Sequence, residues 1–442
     1  MNREASTAGD DRHPVRRIAA VNDFEVLCRE LRGRSRLALD TEFVAEDSYQ
    51  PNLCLIQIAF DDELVVIDPF PLGSVRRFWE AIVEGNVEVV VHAGRVDLQF
   101  CYNATGRFPS RVFDVQIAAG LIGLEYPAGL VNILQKYLGI SVTKHETRTD
   151  WRRRPLSDKQ IEYALNDVRY LLPLRDHLER ELVRLNRLEW LREEVQRQQQ
   201  MAIQAEVEER WRRLTGCGGM SRRELAILRE LWHWREREAA RRNVPPRRVL
   251  RDDLLVELAR RASSDPKRIL AIRGMSQHPT CRLVPMISAC IRDALAMPPE
   301  KWPELPNRPG VQQSPVVGQF LYSALASLCL KKQIAVGLVG GTNDLRDWLV
   351  YQFSGSTDDA PPILAQGWRR EVIGDTLKML VTGRAALRIA NPTADNPLEL
   401  VFLPETESEF RDVSQKRPDS ELPKGPDEVN PGSQGESWQT SP

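Results

Sequence analysis

The chain has 442 residues, of which 28% are charged and 42% hydrophobic, and its formal net charge at pH 7 is -1. The length predicts two or three domains, each able to bury a core. Because no apolar run is long enough to cross a bilayer and residues 1–17 are polar and charged, we expect neither a membrane protein nor an exported one. The seven cysteines, an odd number with no Cys-x-x-Cys pair, favour reduced thiols in the cytoplasm.

The small net charge conceals an asymmetry along the chain. Residues 1–209 contain 27 Lys and Arg against 34 Asp and Glu, whereas residues 210–292 contain 20 against 8. A basic segment of this kind is typical of proteins that bind the phosphates of nucleic acids. The alternative is a set of solvated helix faces, which is the usual origin of a run of charges.

Hydrophobic periodicity predicts an α/β domain in which strands come first and helices follow. In chain order we expect a helix at Asn22–Leu31, strands at Arg36–Phe43, Leu53–Phe60 and Leu64–Asp68, a helix at Val75–Val83, a strand at Val87–His92 and a helix at Asp97–Tyr102. The remainder to about residue 200 is predicted to be mainly helical. Within it, Ser157 and Gln160 fit a capping box that starts one helix, and Pro173 should end or kink that helix.

Acidic residues recur where the predicted elements can bring them together. Asp40 and Glu42 are two apart in a strand, so both carboxylates point to one face. Tyr163 and Asp167 are four apart in a helix and share one face of it. Asp97 follows a strand after a short turn that contains glycine. Four carboxylates from three elements would repel one another unless cations lay between them.

The ligand type predicts which cations these are. Oxygen-only ligands select Mg²⁺ or Mn²⁺, and no Cys or His spacing indicates a zinc site. Two such ions about 4 Å apart can activate a water and stabilise the departing oxygen of a phosphodiester. A tyrosine one turn before the last carboxylate is well placed to orient that water. The pattern therefore predicts a hydrolytic nuclease.

The spaced set of Asp40, Glu42, Asp97, Tyr163 and Asp167 resembles the DEDDy group of 3′-to-5′ exonucleases. The run Lys-His-Glu-Thr-Arg-Thr-Asp-Trp at residues 144–151, followed by Arg-Pro-Leu-Ser at residues 154–157, narrows the resemblance to bacterial ribonuclease D. The resemblance implies a ribonuclease-H-like exonuclease domain over residues 1–205. It also implies that the four carboxylates hold two divalent metal ions, Mg²⁺ or Mn²⁺, and that the tyrosine orients the water.

The same resemblance implies the reaction and the substrate. The enzyme would remove 5′-monophosphate nucleotides from free 3′ ends of structured RNA, including tRNA precursors, and a monomer is favoured. Because the metal chemistry does not distinguish the sugar, a 3′-to-5′ DNA exonuclease is one alternative. The other is a nucleic-acid-binding protein with an inert nuclease domain, although the complete set of carboxylates and tyrosine argues against it.

Other residues of this region are weaker candidates. Contact with RNA is predicted for residues near the first motif and before the last helix of the site, with packing or surface ion pairs as the alternative: Phe43, Tyr49, Gln57, Lys144, Arg148, Trp151 and Arg154. His92 is interpreted as a structural residue that closes its strand. Asp114 either positions the metal ligands without binding the metal itself or caps a turn.

The basic segment lies within a second recognisable region. Trp211, an apolar spacing through Leu225, Leu228 and Leu231, and the run Ile-Arg-Gly-Met at residues 272–275 look like an HRDC domain, a small all-α bundle that binds nucleic acid, over residues 208–297. Residues 310–402 follow a proline-rich linker and are predicted to form a second HRDC-like or accessory domain, mostly helical. Residues 403–442, rich in Pro, Ser, Gly and Glu, are predicted to be a disordered acidic tail.

Overall fold

The structure, a computed structural model, describes residues 15–142, 149–207, 210–277, 280–305, 315–354 and 360–403. Its first part is built on one sheet, with strands β1 (Val15–Ile18), β2 (Arg36–Val44), β3 (Asn52–Phe60), β4 (Glu63–Ile67), β5 (Glu88–Val91) and β6 (Arg111–Asp114). The strand order is β1-β4-β3-β2-β5-β6. Strands β2, β3 and β4 form an antiparallel meander, whereas β1, β5 and β6 each lie parallel to their neighbour.

Helices cover both faces of this sheet. They are α1 (Val21–Leu31), α2 (Pro69–Leu72), α3 (Arg76–Glu84), α4 (Arg95–Thr105), α5 (Val115–Leu121), α6 (Leu130–Leu138), α7 (Asp158–Arg169), α8 (Leu171–Arg184) and α9 (Leu188–Val207). Because side chains alternate along β2, Leu37 and Leu39 belong to the core on the side of α1 and α3, and Ala38 to the core of the later helices. Asp40 and Glu42 share the parity of Ala38, and α7 packs against β2 and β3.

A helical bundle with its own core follows this α/β region. Its helices are α10 (Arg222–Arg242), α11 (Pro246–Val249), α12 (Asp252–Arg261), α13 (Pro266–Leu270) and α14 (Val284–Leu295). A capping box between Ser221 and Glu224 fixes the start of α10. Trp211 and Leu231 are fully buried in the bundle core, so the predicted apolar spacing does define the core face.

The last described part of the chain returns to the α/β region. It contains α15 (Pro315–Lys332), α16 (Val336–Val339), α17 (Thr342–Ser354), α18 (Gly367–Arg369), α19 (Asp375–Val381) and an antiparallel hairpin of β7 (Ala385–Ile389) and β8 (Leu398–Phe402). Leu338 and Trp368 belong to the same hydrophobic core as Ala118 of α5. One core therefore runs from the first part of the chain into the last.

Two buried arginines fix this contact. Arg187, between α8 and α9, donates to the carbonyl oxygens of Leu121 and Lys332, each at 2.6 Å. Arg369 pairs with Glu194 of α9 at 2.8 Å, and the two side chains are 3% and 0% exposed. A buried ion pair tolerates little displacement, because either charge left alone in the interior costs several kcal/mol. The C-terminal helices are therefore held in one position on α9.

The predicted fold class is confirmed, with an α/β region first and a helical bundle after it. The sequence does not predict β1 and β6, whose parallel pairing with β4 and β5 no local pattern encodes. The hairpin of β7 and β8 is also not predicted. The predicted domain boundaries stay predictions, and nearly all of the predicted acidic tail lies outside the described residues. Within the described part of the chain, no helix has the length and apolar character needed to cross a bilayer.

Candidate active site

Strand β2 carries the first two predicted carboxylates. Asp40 lies opposite Gln57 of β3, and Glu42 lies opposite Leu55. Gln57 is fully buried, and its Nε2 donates a hydrogen bond of 2.5 Å to Asp40 Oδ2. This bond holds one oxygen of the Asp40 carboxylate in place at the surface of the sheet.

Helix α7 contributes the tyrosine and the last carboxylate. The predicted capping box is present, since Ser157 Oγ accepts from the Gln160 N–H at 3.2 Å and Gln160 Oε1 accepts from the Ser157 N–H at 2.9 Å. Gln160 Nε2 also donates to Thr149 Oγ1 at 2.9 Å, which ties the start of α7 to the preceding segment. Tyr163 and Asp167 consequently line one pocket together.

Three carboxylates converge at this pocket. One oxygen each of Asp40, Glu42 and Asp167 lies within 4.8 Å of the other two. The pocket has a volume of about 330 Å³, and Tyr163 and Asn166 also line it. Because every donor is a carboxylate oxygen, the set fits a hard divalent cation such as Mg²⁺ or Mn²⁺.

The turn between β5 and α4 fixes where α4 begins and thus where Asp97 lies. Ala93 has a φ of 55°, and the N–H groups of Ala93 and Gly94 donate to the Asp114 carboxylate at 3.2 and 3.1 Å. Glycine is required at position 94, because a Cβ there would lie 2.5 Å from Val91 Cγ2. The turn is therefore tight, and α4 begins at a fixed place.

Asp97, near the start of α4, is 6% exposed and accepts a hydrogen bond of 2.5 Å from Thr41 Oγ1. Thr41 lies between Asp40 and Glu42 in β2, so it points to the other face of the sheet. Of the four predicted carboxylates, the structure thus brings three directly together and connects the fourth through Thr41. The sequence analysis did not identify Thr41, although its position inside the Asp-Thr-Glu motif was the available signal.

Burial and mutual repulsion raise the pKa values of these groups. Burial raises the pKa of Asp40 well above its usual range, and Asp97, Asp167 and Glu42 raise it further. Burial, with Asp167 and Asp97, raises the pKa of Glu42 to about 8. Burial raises the pKa of Asp97 to about 6 against the opposing hydrogen bond from Thr41. A cation between these carboxylates would relieve the repulsion.

The Tyr163 hydroxyl is held as a proton donor. Burial raises the pKa of Tyr163 far above its ordinary value, and the charges of Asp167, Glu42 and Asp40 act in the same direction. Its ring centroid lies 6.1 Å from that of Trp151. The ring is therefore packed, and its hydroxyl stays protonated beside the carboxylates.

Comparison with known proteins identifies the family. The sequence model of a 3′-5′ exonuclease domain matches residues 15–183, and that of the HRDC domain matches residues 224–291. The ribonuclease D of Gluconacetobacter diazotrophicus is 34% identical over 376 residues, a match that covers 84% of this chain and 94% of the relative. The chain belongs to the ribonuclease D family.

Other members match over a similar length. The ribonuclease D of Sphingobium indicum is 32% identical over 385 residues, covering 86% of this chain and 97% of the relative. The crystal structure of Escherichia coli RNase D, described as an exoribonuclease involved in structured RNA processing, matches with a TM-score of 0.73 and 27% identity over 84% of this chain and 99% of that one. Membership of the ribonuclease D family supports a 3′-to-5′ exoribonuclease activity.

Two residues predicted to contact RNA are buried in the structure. Gln57 is fully buried and bonded to Asp40. Trp151 is 6% exposed and packs beside Tyr163. Each thus has a contact within the protein, and the RNA contact of each stays a prediction.

The remaining predicted RNA contacts have different outcomes. Arg154 donates to both carboxylate oxygens of Asp68 at 2.6 and 2.9 Å, so its charge anchors the segment before α7. Phe43 packs edge-on against Phe100, with ring centroids 5.8 Å apart, and its RNA contact stays a prediction. Lys144 and Arg148 lie outside the described residues.

The two residues with alternative interpretations are structural. His92 lines the active-site pocket, and its Nε2 lies 2.9 Å from the carbonyl oxygen of Ala128, to which it donates. Asp114 caps the start of α5, where it accepts from the Gln116 N–H at 2.8 Å. The turn-capping interpretation of Asp114 is therefore confirmed.

The basic segment presents less free charge than its composition implies. Several of its arginines pair with carboxylates one turn away on the same helix, as Arg241 does with Glu238 at 2.8 Å and Arg261 with Glu257 at 2.7 Å. Arg235 is buried and pairs with Asp252. Neighbouring carboxylates therefore neutralise part of the positive charge that the number of basic residues in the HRDC bundle implies.

The loop after β2 connects this bundle to the active site. Asp47 binds Arg248 of the bundle at 2.6 Å and Arg152, in the segment before α7, at 3.2 Å. The N–H of Tyr49 donates to Asn243 Oδ1 at 3.3 Å, and the Tyr49 side chain packs against the bundle core. The bundle therefore touches the same loop that follows Asp40 and Glu42.

Proposed function

We propose that this chain is a metal-dependent 3′-to-5′ exoribonuclease that releases nucleoside 5′-monophosphates by hydrolysis of the terminal phosphodiester. The observation that carries the proposal is the convergence of Asp40, Glu42 and Asp167 within 4.8 Å, in a pocket that Tyr163 also lines. Buried acids of this kind do not stabilise the fold. A raised pKa means that the folded state is less stable when the carboxylate is ionised.

Asp40, Glu42, Asp97 and Asp167 would hold two Mg²⁺ or Mn²⁺ ions. The donor set supports this, because oxygen ligands suit these ions and their charge allows neighbouring buried carboxylates to ionise together. When bound, such ions activate a water and stabilise the departing oxygen.

The side chains of the protein orient these groups. Gln57 fixes Asp40, and Thr41 fixes Asp97, by hydrogen bonds of 2.5 Å each. Tyr163 would donate a hydrogen bond that orients the attacking water. Burial and the neighbouring carboxylates raise the pKa of Tyr163, so its hydroxyl is protonated in the metal-free protein and can donate a hydrogen bond to the water.

The proposed substrate is RNA with a free 3′ end, including tRNA precursors. Family membership and the Escherichia coli relative, described as an exoribonuclease of structured RNA processing, support this substrate class. The HRDC bundle, joined to the loop after β2, would provide a second contact for structured RNA. A 3′-to-5′ DNA exonuclease is the competing candidate, because only contacts to the 2′-hydroxyl separate the two. Monomeric state and cytoplasmic location stay predictions.

One assay separates these functions. Full-length protein is incubated with Mn²⁺ and 5′-labelled linear RNA, a circular RNA of the same sequence, or linear single-stranded DNA. We expect the linear RNA to shorten from its 3′ end, the circular RNA to persist and the DNA to be cut more slowly. Cleavage of the circular RNA would exclude an exonuclease, and faster cleavage of the DNA would favour the alternative.

A matched pair of variants tests the metal ligands. Asp40→Asn should abolish hydrolysis but retain RNA binding, because it removes a ligand without creating a cavity. Asp62→Asn, at an exposed carboxylate in the turn between β3 and β4, loses the same charge and should retain activity. Turnover of Asp40→Asn near that of the wild type at saturating Mg²⁺ would show that the ligand assignment is wrong.

A further inference from the structure

One neutral polar side chain of the active-site pocket has no part in the proposed mechanism. Asn166 lies in α7 between Tyr163 and Asp167, and all three line the same pocket of about 330 Å³. Residues three apart are neighbours on the surface of a helix, so Asn166 lies beside Tyr163 as well as next to Asp167 in the chain. A side-chain amide therefore shares the pocket with the proposed metal ligands and the water-orienting tyrosine.

The hydrogen-bonding groups of this amide are available to a ligand. Asn166 is half-buried, and among the residues that the structure describes its side chain has no hydrogen-bond partner. By contrast, Thr41 Oγ1 in the same pocket donates to Asp97. His92 Nε2 likewise donates to the carbonyl oxygen of Ala128. Asn166 offers two donor hydrogens and one acceptor oxygen, and it can bond a ligand without breaking a contact of the fold.

Part of the pocket wall is apolar. Leu130, Val131 and Val142 line it, and none of these side chains carries a hydrogen-bonding group. They can contact a base or a sugar, but they cannot distinguish one base from another by hydrogen bonds. The polar recognition available in the pocket, apart from the carboxylates and the tyrosine, therefore includes the Asn166 amide.

The chemistry of the substrate favours the ribose as the partner of this amide. An exonuclease removes successive nucleotides whose bases differ, whereas the ribose is the same in each, so a contact to the ribose serves every cycle. The ribose of the terminal nucleotide is also bonded directly to the phosphate that is cleaved. A polar side chain next to a proposed metal ligand is thus placed to meet the ribose.

We propose that Asn166 forms a hydrogen bond with the 2′-hydroxyl of the 3′-terminal nucleotide and thereby favours RNA over DNA. This inference rests on the proposed exonuclease function and names the residue that selects its substrate. A hydroxyl donates and accepts, and an amide can match it in either direction. A 2′-deoxy nucleotide would leave the amide without this partner in the occupied pocket, which opposes its binding.

The test crosses one substitution with one change in the substrate. Asn166→Ala removes the amide, and alanine favours the helical conformation, so α7 should be retained. Asn132→Ala is the control, because Asn132 is an exposed amide in α6 that does not line the pocket. Single-turnover hydrolysis with Mn²⁺ is measured on a 5′-labelled single-stranded RNA and on the same RNA with only its last nucleotide 2′-deoxy. Each substrate is made with A or U at the 3′ end.

The wild type and Asn132→Ala should cleave the ribose-ended RNA about tenfold faster than the deoxy-ended one, as expected for one lost hydrogen bond in a closed site. Asn166→Ala should reduce this preference to under about threefold, mainly through slower cleavage of the ribose-ended RNA. The preference should be the same for terminal A and terminal U. A preference that follows the base would overturn the ribose contact.

Calorimetry of AMP and 2′-deoxy-AMP in Mg²⁺ adds a measurement that needs no hydrolysis, since neither ligand contains a phosphodiester. The wild type should bind AMP about tenfold more tightly than 2′-deoxy-AMP, and Asn166→Ala should bind the two within about threefold. Asn166→Leu, which is closer in size to asparagine, repeats both assays, and circular dichroism checks the fold of each protein.

An equal preference for ribose in the wild type and in both Asn166 variants would overturn the proposal, as would a wild type without any such preference. Failure of the proposed exonuclease function is a different result. It would appear as activity retained by Asp40→Asn, or as linear RNA that stays intact while the binding assay still separates AMP from 2′-deoxy-AMP.

Discussion

Replacing Glu42 with Gln should stabilise the metal-free protein while it abolishes hydrolysis. Burial, with the charges of Asp167 and Asp97, raises the pKa of Glu42 from 4.5 to about 8 in the folded protein. Since the folded state holds this proton more tightly than the unfolded chain does, the group stabilises the fold below pH 4.5, and that contribution is lost as the pH rises through about 8. Glutamine cannot ionise and therefore retains the contribution at every pH.

The pKa values set the size of the effect. One pKa unit corresponds to about 1.4 kcal/mol, so at pH 7 the ionisation of Glu42 should cost on the order of 3 kcal/mol of folding free energy. Above pH 8 the cost should reach on the order of 5 kcal/mol. For a region of this size, 3 kcal/mol corresponds to roughly 6–12 °C in melting temperature.

Scanning calorimetry of the wild type and Glu42→Gln from pH 5.5 to 9 measures this difference. In EDTA the variant should melt increasingly above the wild type as the pH rises. Added Mg²⁺ should narrow the gap, because the cation stabilises the ionised wild-type site more than the variant. Asp62→Asn, at its exposed position, should follow the wild type throughout. A Glu42→Gln variant that melts at or below the wild type in EDTA at pH 8.5 would refute the view that repulsion dominates this site.

Three further outcomes are expected. Tyr163→Phe keeps the ring, so the melting shift caused by Mg²⁺ should survive while single-turnover hydrolysis slows by roughly 10²-fold or more, and equal rates would remove Tyr163 from the mechanism. Asp97→Asn should lose hydrolysis at saturating Mg²⁺ with its fold retained by circular dichroism; activity close to wild type would exclude it as a ligand. Arg369→Met leaves Glu194 buried beside one remaining arginine, so urea denaturation should show a loss of about 3–5 kcal/mol, whereas Arg388→Met, at a surface pair, should cost under about 1 kcal/mol.

The sequence predicts the parts of the fold whose pattern is local. Strands β2 and β3 have nine residues each, long enough for alternation or an apolar run to be recognised. Strands β1 and β6 exist because each pairs in parallel with a strand distant in the sequence, and no local pattern encodes that pairing. The contact between Arg369 and Glu194 is equally non-local, which explains why the C-terminal helices are predicted as a separate domain and are found on the α/β core.

In the candidate site, too, some residues are predictable from a local pattern and others are not. Asp40, Glu42, Tyr163 and Asp167 are predictable because periods of two and four residues place them on one face of their elements. The role of Gln57 depends instead on the register of β3 against β2, which composition does not specify. The signal available for it was an amide inside the apolar run of residues 53–60, since a buried polar side chain needs a partner.

The number of basic residues in residues 210–292 overstates the positive charge at the surface of the bundle. Its 20 basic residues against 8 acidic ones predict a strongly positive bundle. Spacing of three or four residues, as between Glu238 and Arg241 or Glu257 and Arg261, allows much of that charge to be paired within a helix.

The turn of residues 92–94 determines where Asp97 lies relative to the other carboxylates. Buried carboxylates with raised pKa values require cations before they can ionise together. Because Asp114 holds the backbone of this turn by two hydrogen bonds and Thr41 holds the Asp97 side chain by a third, the position of Asp97 is set by the fold and not by the substrate.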